Sequence, residues 1–312
     1  MRGINALIAI IVLVAIVGLA AVSVISFVQK SISQQQKEII QKNEFNKFHT
    51  IGKIAIRTET PYADKDTIVN IRIDLKPVQD IVSKYGSFAL CDDPSCSGNR
   101  YYYCWETPNG ECVRDLNKNW NKYIIWVRID RFYSPIVLYM VYGKGKTNVD
   151  GKDIFLLYTN GSYLDGFESQ GEVTTNNGII ELKNASSLVT NSYAIKEKYN
   201  LVARLQFQIK NNNKTTISFN VTDQVYIKGL DVYKGNEKIT TLEANTNYLY
   251  INKLQGYPKE NIYIIKGKQI VLPYGNDKVS FTIKTTDNSD VLIDWIMLYY
   301  EPINVNVYVE KE

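Results

Sequence analysis

This sequence predicts a mainly β protein: a long hydrophobic N-terminal α-helix followed by two β-sandwich, jelly-roll-like domains. Three observations predict it. Residues 4–28 form an almost unbroken apolar run, INALIAIIVLVAIVGLAAVSVISFV, interrupted only by Asn5, Gly18, Ser23 and Ser26. From residue 50 onward the apolar residues recur every second position, as half-buried strands require. With 312 residues, the chain is long enough for about two domains once the apolar run is set aside. The expected organisation is a leader at 1–3, a transmembrane or filament-core helix at 4–28, a polar continuation and linker at 29–48, a first sandwich at 49–150 and a second at 151–312.

The apolar run starts too early and is too long for a cleaved secretory signal. Lys30 and Lys37 follow it and only Arg2 precedes it, which places the N-terminus in the cytoplasm. No glycine lies between Gly18 and Gly52 and no proline before Pro61, so the helix is expected to run on to about Phe45. Ile32, Ile39 and Ile40 supply its apolar contacts there. A rod with an apolar first half suits bundling with copies of itself.

Paired strands are expected in IGKIAIRTE and TIVNIRIDL, where Ile54 and Ile56, then Ile71 and Ile73, share a face. KYGSFALCDD and NRYYYCWET continue the pattern, and NKYIIWVRID with SPIVLYMVYGKG read as two buried strands ending in a glycine turn. NLVARLQFQIKNN, TTISFNV, KVSFTIKTT and VLIDWIMLYYEP supply the second half. The last segment, INVNVYVEKE, alternates cleanly; it reads as an edge strand of its own sandwich, with addition to a neighbouring subunit as the alternative.

Arg2-Gly3 followed by INALIAIIV and a polar helix resembles the start of archaeal type IV pilins and pilin-like proteins. The resemblance implies cleavage beside Gly3 and a helix that packs in a filament core, with Ile4, Leu7, Ile11, Leu13, Ile16 and Gly18 as assembly residues. A plain signal anchor is the alternative. IIWVRID, a spacer and IVLYMVYGKG, with FALCDD and YYYCWE upstream, resemble a prokaryotic surface domain of unknown function. In that family a concanavalin A-like, laminin-G-like sandwich commonly follows. DIFLLYTNGSYLDGFES, GIIELKNASSLVTNSYAI and the Asp294-Trp295 pair resemble that second domain.

The net charge of +4, with Lys and Arg scattered along strands, excludes a nucleic-acid footprint. A single histidine, His49, leaves no Ser-His-Asp or Cys-His constellation, and Asp165, Glu168 and Glu172 lie in YLDGFESQGE, which reads as a turn. No enzyme is expected. The spacing of Cys91, Cys96, Cys104 and Cys112 does not suit zinc, and disulfides are expected for Cys91 with Cys96 and Cys104 with Cys112. Asn109-Gly110 marks the turn inside the second loop.

Sequons at Asn160, Asn184, Asn213 and Asn220 are candidate glycosylation sites. No cofactor or fixed metal site is expected; Asp64 with Asp66, and Asn148 with Asp150 and Asp153, are the places where calcium could be held. Tyr101, Tyr102, Tyr103 and Trp105 could stack on sugar rings, although alternation should bury every second one. The function expected is therefore a structural or adhesive subunit of an extracellular filament at the cell surface, self-assembled through the helix. The alternative is a monomeric membrane-anchored protein that binds surface glycans.

Overall fold

A computed structural model describes residues 29–31, 33, 34, 48–59, 63, 64, 66–221 and 224–312. The chain divides into two units, Met1–His49 and Thr50–Glu312. In the first, the described residues between 29 and 34 are helical, and the Ser33 hydroxyl donates to the Lys30 carbonyl at 2.9 Å. The expected apolar helix at 4–28, with Arg2, Gly3, Ile4, Leu7, Ile11, Leu13, Ile16 and Gly18, lies outside the described residues. Among the described residues no helix is long and apolar enough to cross a membrane.

The fold class is thereby corrected to mainly β, with no long apolar helix among its described elements. The physical reason is that hydropathy reports which residues avoid water and not which backbone partners they take. A helix draws most of its stability from what packs on it, whereas the strands of residues 50–312 find their partners within the chain.

In that second unit a five-stranded sheet runs in the order Val305–Lys311, His49–Thr58, Ile136–Tyr142, Ala89–Cys91, Arg100–Tyr101. A four-stranded sheet follows the order Val69–Asp74, Ile124–Ile129, Tyr103–Glu106, Cys112–Val113. A 13-stranded sheet is built around Asp290–Pro302, which pairs antiparallel with Tyr199–Asn211 on one side and Ile179–Thr190 on the other. Tyr248–Gln255, Glu260–Ile265 and Lys268–Pro273 extend it beyond Tyr199–Asn211.

Period-two alternation explains how these sheets share layers. On Ile124–Ile129, Ile125, Val127 and Ile129 enter one core together with Ile54, Ile56, Leu138 and Met140. Trp126, between them, faces the opposite way into a second cluster with Cys104, Val202, Trp295, Met297 and Tyr299. The four-stranded sheet is thus buried on both faces around Ile124–Ile129, which is why that strand reads as a nearly continuous apolar run.

Two local differences from the sequence reading stand out. Gln79–Tyr85 is a short helix, largely in the stretch between TIVNIRIDL and KYGSFALCDD to which the sequence reading gave no element. Pro77 opens the 3-10 turn before it, Gly86 closes it at φ +77, and Val78 and Val82 bury one face. Phe167–Asn176 is an exposed edge strand, so Glu168 and Glu172 lie on a strand and only Asp165 in a turn. The terminal strand Val305–Lys311 pairs with His49–Thr58 of its own chain, from Gly52 opposite Lys311 to Thr58 opposite Val305.

Cys91 is bonded to Cys96 and Cys104 to Cys112, with Cα separations of 5.2 and 5.7 Å. Both loops are short, so each bond restrains the unfolded chain by about 2–3 kcal/mol in the loop-entropy account. Reduction is expected to lower the denaturation midpoint accordingly. Urea titration with and without a thiol reductant checks this, and coincident curves would refute it.

Candidate functional site

An exposed aromatic surface forms beside the four-stranded sheet, where Arg100–Tyr102 meets the bend at Asp130–Arg131. Along Arg100–Glu106 alternation sorts the expected aromatic run. Tyr103 and Trp105 are buried, and the Tyr103 ring stacks on Phe88 with centroids 4.8 Å apart. The Tyr103 hydroxyl donates to the Phe88 carbonyl at 3.1 Å. Tyr101 is half-buried, and Tyr102 points outward with 50% of its surface exposed.

The bend carries Asp130 and Arg131 from the end of Ile124–Ile129 into Phe132–Tyr133, where Phe132 is buried and Tyr133 is 43% exposed. The Arg128 amide donates to the Tyr102 carbonyl at 2.9 Å and ties the two segments together. Between them lies a cavity of about 430 Å³ lined by Arg100, Tyr101, Tyr102, Arg128, Arg131 and Tyr133.

The charge in this cavity is unbalanced. Arg128 is held by Asp130 at 2.7 Å and by the Asp153 carbonyl at 3.0 Å. Arg100 and Arg131 are exposed and have no ion-pair partner among the described residues. Burial, with Tyr133 beside it, pushes the Tyr101 phenol well above its ordinary value, so it stays a hydrogen-bond donor across the neutral range. A rim with two exposed phenol rings and two unpaired guanidinium groups can stack on a flat apolar face and hold a carboxylate or sulfate beside it.

The other expected site residues lie apart from this rim. Asn148 is buried, with its amide donating to the Arg114 carbonyl at 2.7 Å, next to the 3-10 turn Gly151–Asp153 that holds Asp153. Asp66 is exposed, and the Asp64 side chain lies outside the described set. Among the described residues no three His, Cys, Asp or Glu side chains gather as a metal site. His49 opens the strand His49–Thr58, an inner strand of the five-stranded sheet, and is exposed. Asn184, Asn213 and Asn220 are exposed and Asn160 is partly buried.

Sequence reasoning missed a buried charged cluster between the four-stranded sheet and the strands Tyr199–Asn211 and Asp290–Pro302. Arg72 donates to both carboxylate oxygens of Glu106 at 2.7 Å, and the Trp126 indole adds a third bond at 2.7 Å. Arg204 approaches the same oxygens at 3.4 and 3.5 Å. Its guanidinium lies between the Trp126 and Trp295 rings, 5.5 and 5.9 Å from their centroids. Burial alone would raise the Glu106 carboxyl, but Arg72 foremost, with Arg204 and Trp126, holds it below the usual carboxylate range. Trp295 in turn donates to the Asn109 carbonyl at 3.2 Å and tethers the disulfide hairpin.

No family model and no curated protein matches the chain, so neither family resemblance finds support there. Among solved structures the chain is similar to the Emp47p carbohydrate recognition domain, at 8% identity over 43% of this chain and 88% of that one, with a TM-score of 0.33. It is similar to a lectin from Bauhinia forficata in complex with GalNAc, at 10% identity over 47% and 99%, with a TM-score of 0.36. It is also similar to the alginate lyase from Corynebacterium sp., at 9% identity over 44% and 84%, again with a TM-score of 0.36. At these scores the likeness assigns no chemistry.

Proposed function

We propose that this protein is a cell-surface glycan-binding protein whose Tyr102–Tyr133 rim takes acidic glycans. The single observation that carries the reading is the pair of exposed tyrosines flanking Arg100 and Arg131, neither of which has an ion-pair partner among the described residues. The rings offer stacking surface to the apolar face of a sugar, and the guanidinium groups offer paired donors to its acidic substituent.

A glycan array carrying neutral, uronate-bearing and sulfated chains tests it. Binding is expected on the acidic chains and is expected to weaken as salt rises, because the rim charges are exposed. Tyr102→Ala and Arg131→Ala should each reduce binding by about tenfold, the loss of one stacked ring or one charge-assisted contact. A blank array, or binding untouched by both variants, would remove the reading.

The apolar run 4–28 supports a place at the cell surface, as a membrane anchor ahead of the β unit. It also supports a second reading, assembly of copies into a filament through that run. Negative-stain images of native material containing filaments would favour the second reading, and dispersed particles the first.

A further inference from the structure

Three loops of the β unit meet around a cavity of about 500 Å³ lined by Ile195, Glu197, Tyr257, Pro258, Lys259 and Asp277. The first loop, 195–198, leads into Tyr199–Asn211. The second, 256–259, joins Tyr248–Gln255 to Glu260–Ile265, and the third, 274–277, precedes Lys278–Val279.

Hydrogen bonds to the backbone knit the three together. The Ile195 amide donates to the Asp277 carbonyl at 2.8 Å, the Gly256 amide to the Tyr199 carbonyl at 3.1 Å and the Tyr274 hydroxyl to the Gln255 carbonyl at 2.8 Å. Gly256 lets the second loop press on the first, since a Cβ there would run into the carbonyl oxygens of Lys196 and Glu197. The walls are thus set before any ligand arrives, which spares the cost of ordering them on binding.

Two features of the lining describe the ligand. Tyr257 is 71% exposed, more than any other large apolar side chain among the described residues, and Ile195 and Pro258 add to its apolar surface. An open phenol ring attracts a cation through its quadrupole. Glu197 is the second feature. Lys259 is held by Asp277 at 2.6 Å, whereas the exposed Glu197 carboxylate has no ion-pair partner among the described residues, so the lining carries one carboxylate in excess.

That excess disfavours an anion. A primary ammonium brings three N–H donors and needs acceptors for each, while most of the wall is apolar. A quaternary ammonium has no donor to satisfy, and its methyl groups suit an apolar wall.

We propose that this cavity binds a quaternary ammonium ion, with its methyl groups on the Tyr257 ring and its charge balanced by Glu197. The site shares no residue with the Tyr102–Tyr133 rim and carries the opposite charge, so it stands whether or not the rim takes glycans.

Ligand-observed nuclear magnetic resonance titration of the full chain tests it, with choline, its neutral carbon isostere dimethylbutanol, and D-glucose at one ionic strength. Choline is expected to bind saturably and about tenfold more tightly than either neutral probe. Tyr257→Ala should weaken choline binding by about tenfold and Glu197→Gln by about fivefold. Both positions are exposed, so the thermal midpoint should be retained, and Tyr257→Phe, which keeps a ring, should bind as the wild type does. Phosphatidylcholine vesicles identify the source of the ion: sedimentation with them that Tyr257→Ala abolishes assigns a lipid head group, and sedimentation equal in the two proteins assigns a soluble cation. No saturable choline binding, equal affinity for the isostere, tighter binding of glucose, or affinity unmoved by both Tyr257→Ala and Glu197→Gln would each overturn the proposal.

Discussion

Replacing Glu106 by Gln is expected to lower the unfolding free energy by about 3–5 kcal/mol, because it leaves cations buried without their counter-charge. The loss falls unequally on the two partners. The Arg72 side chain is 42% exposed and recovers part of its hydration, whereas Arg204 is enclosed between two indole rings and cannot. Tryptophan fluorescence reports the transition directly, since Trp126 and Trp295 lie in the cluster.

The pH dependence has a definite sign. The Glu106 carboxyl titrates below 4.5 in the folded chain, so the unfolded chain takes up its proton first as pH falls. Its contribution is fully present above that value and is lost as pH drops through the folded-state value. Burial raises Glu111, Asp290 and Asp294, and these contribute in the opposite sense. The stability difference between wild type and Glu106→Gln isolates the first effect: it should be large at pH 7 and shrink in acid. A difference that stays constant down to the acid limit would refute the assignment.

Trp295→Ala is expected to cost about 3–5 kcal/mol, the range for emptying a buried aromatic site. The ring is only 1% exposed, covers one face of Arg204 and donates to Asn109. Its edge also lies where a side chain at Gly110 would have to go: a Cβ there falls 2.8 Å from Trp295 Cζ2, at a φ of +87. Gly110→Ala alone should therefore cost about 1–3 kcal/mol, from crowding plus the left-handed backbone. In the Trp295→Ala background the crowding disappears and only the backbone part remains. The double variant is expected to be less destabilised than the sum of the singles. Strict additivity would show that the hairpin and the indole do not touch.

Much of the β architecture was legible because its signals are local. IGKIAIRTE and TIVNIRIDL carry their alternation in nine residues each, and Asn109-Gly110 names its own turn. The sites were not legible for the converse reason. Arg72, Glu106 and Arg204 are 34 and 98 residues apart along the chain, and Arg72 alone looks like an ordinary outward-facing residue of an alternating strand. The tyrosine run at 101–103 was visible, but its partner rim, Arg131 and Tyr133, comes from a turn some thirty residues on and is brought in by sheet pairing. The short helix Gln79–Tyr85 had its proline and glycine markers in view and was overshadowed by the strands around it.

The pairing of the last strand with the first has a mechanical consequence. Any tension entering the β unit from residue 48 is carried by His49–Thr58, which is flanked by Val305–Lys311 on one side and Ile136–Tyr142 on the other. A pull along the axis of that strand loads its seven cross-strand pairs with Val305–Lys311 together, from Gly52 to Thr58, so they must fail as a group. A pull across the strand would open them one at a time, as a zip does. The chain's last residues thus serve as a shear lock on the point where force arrives.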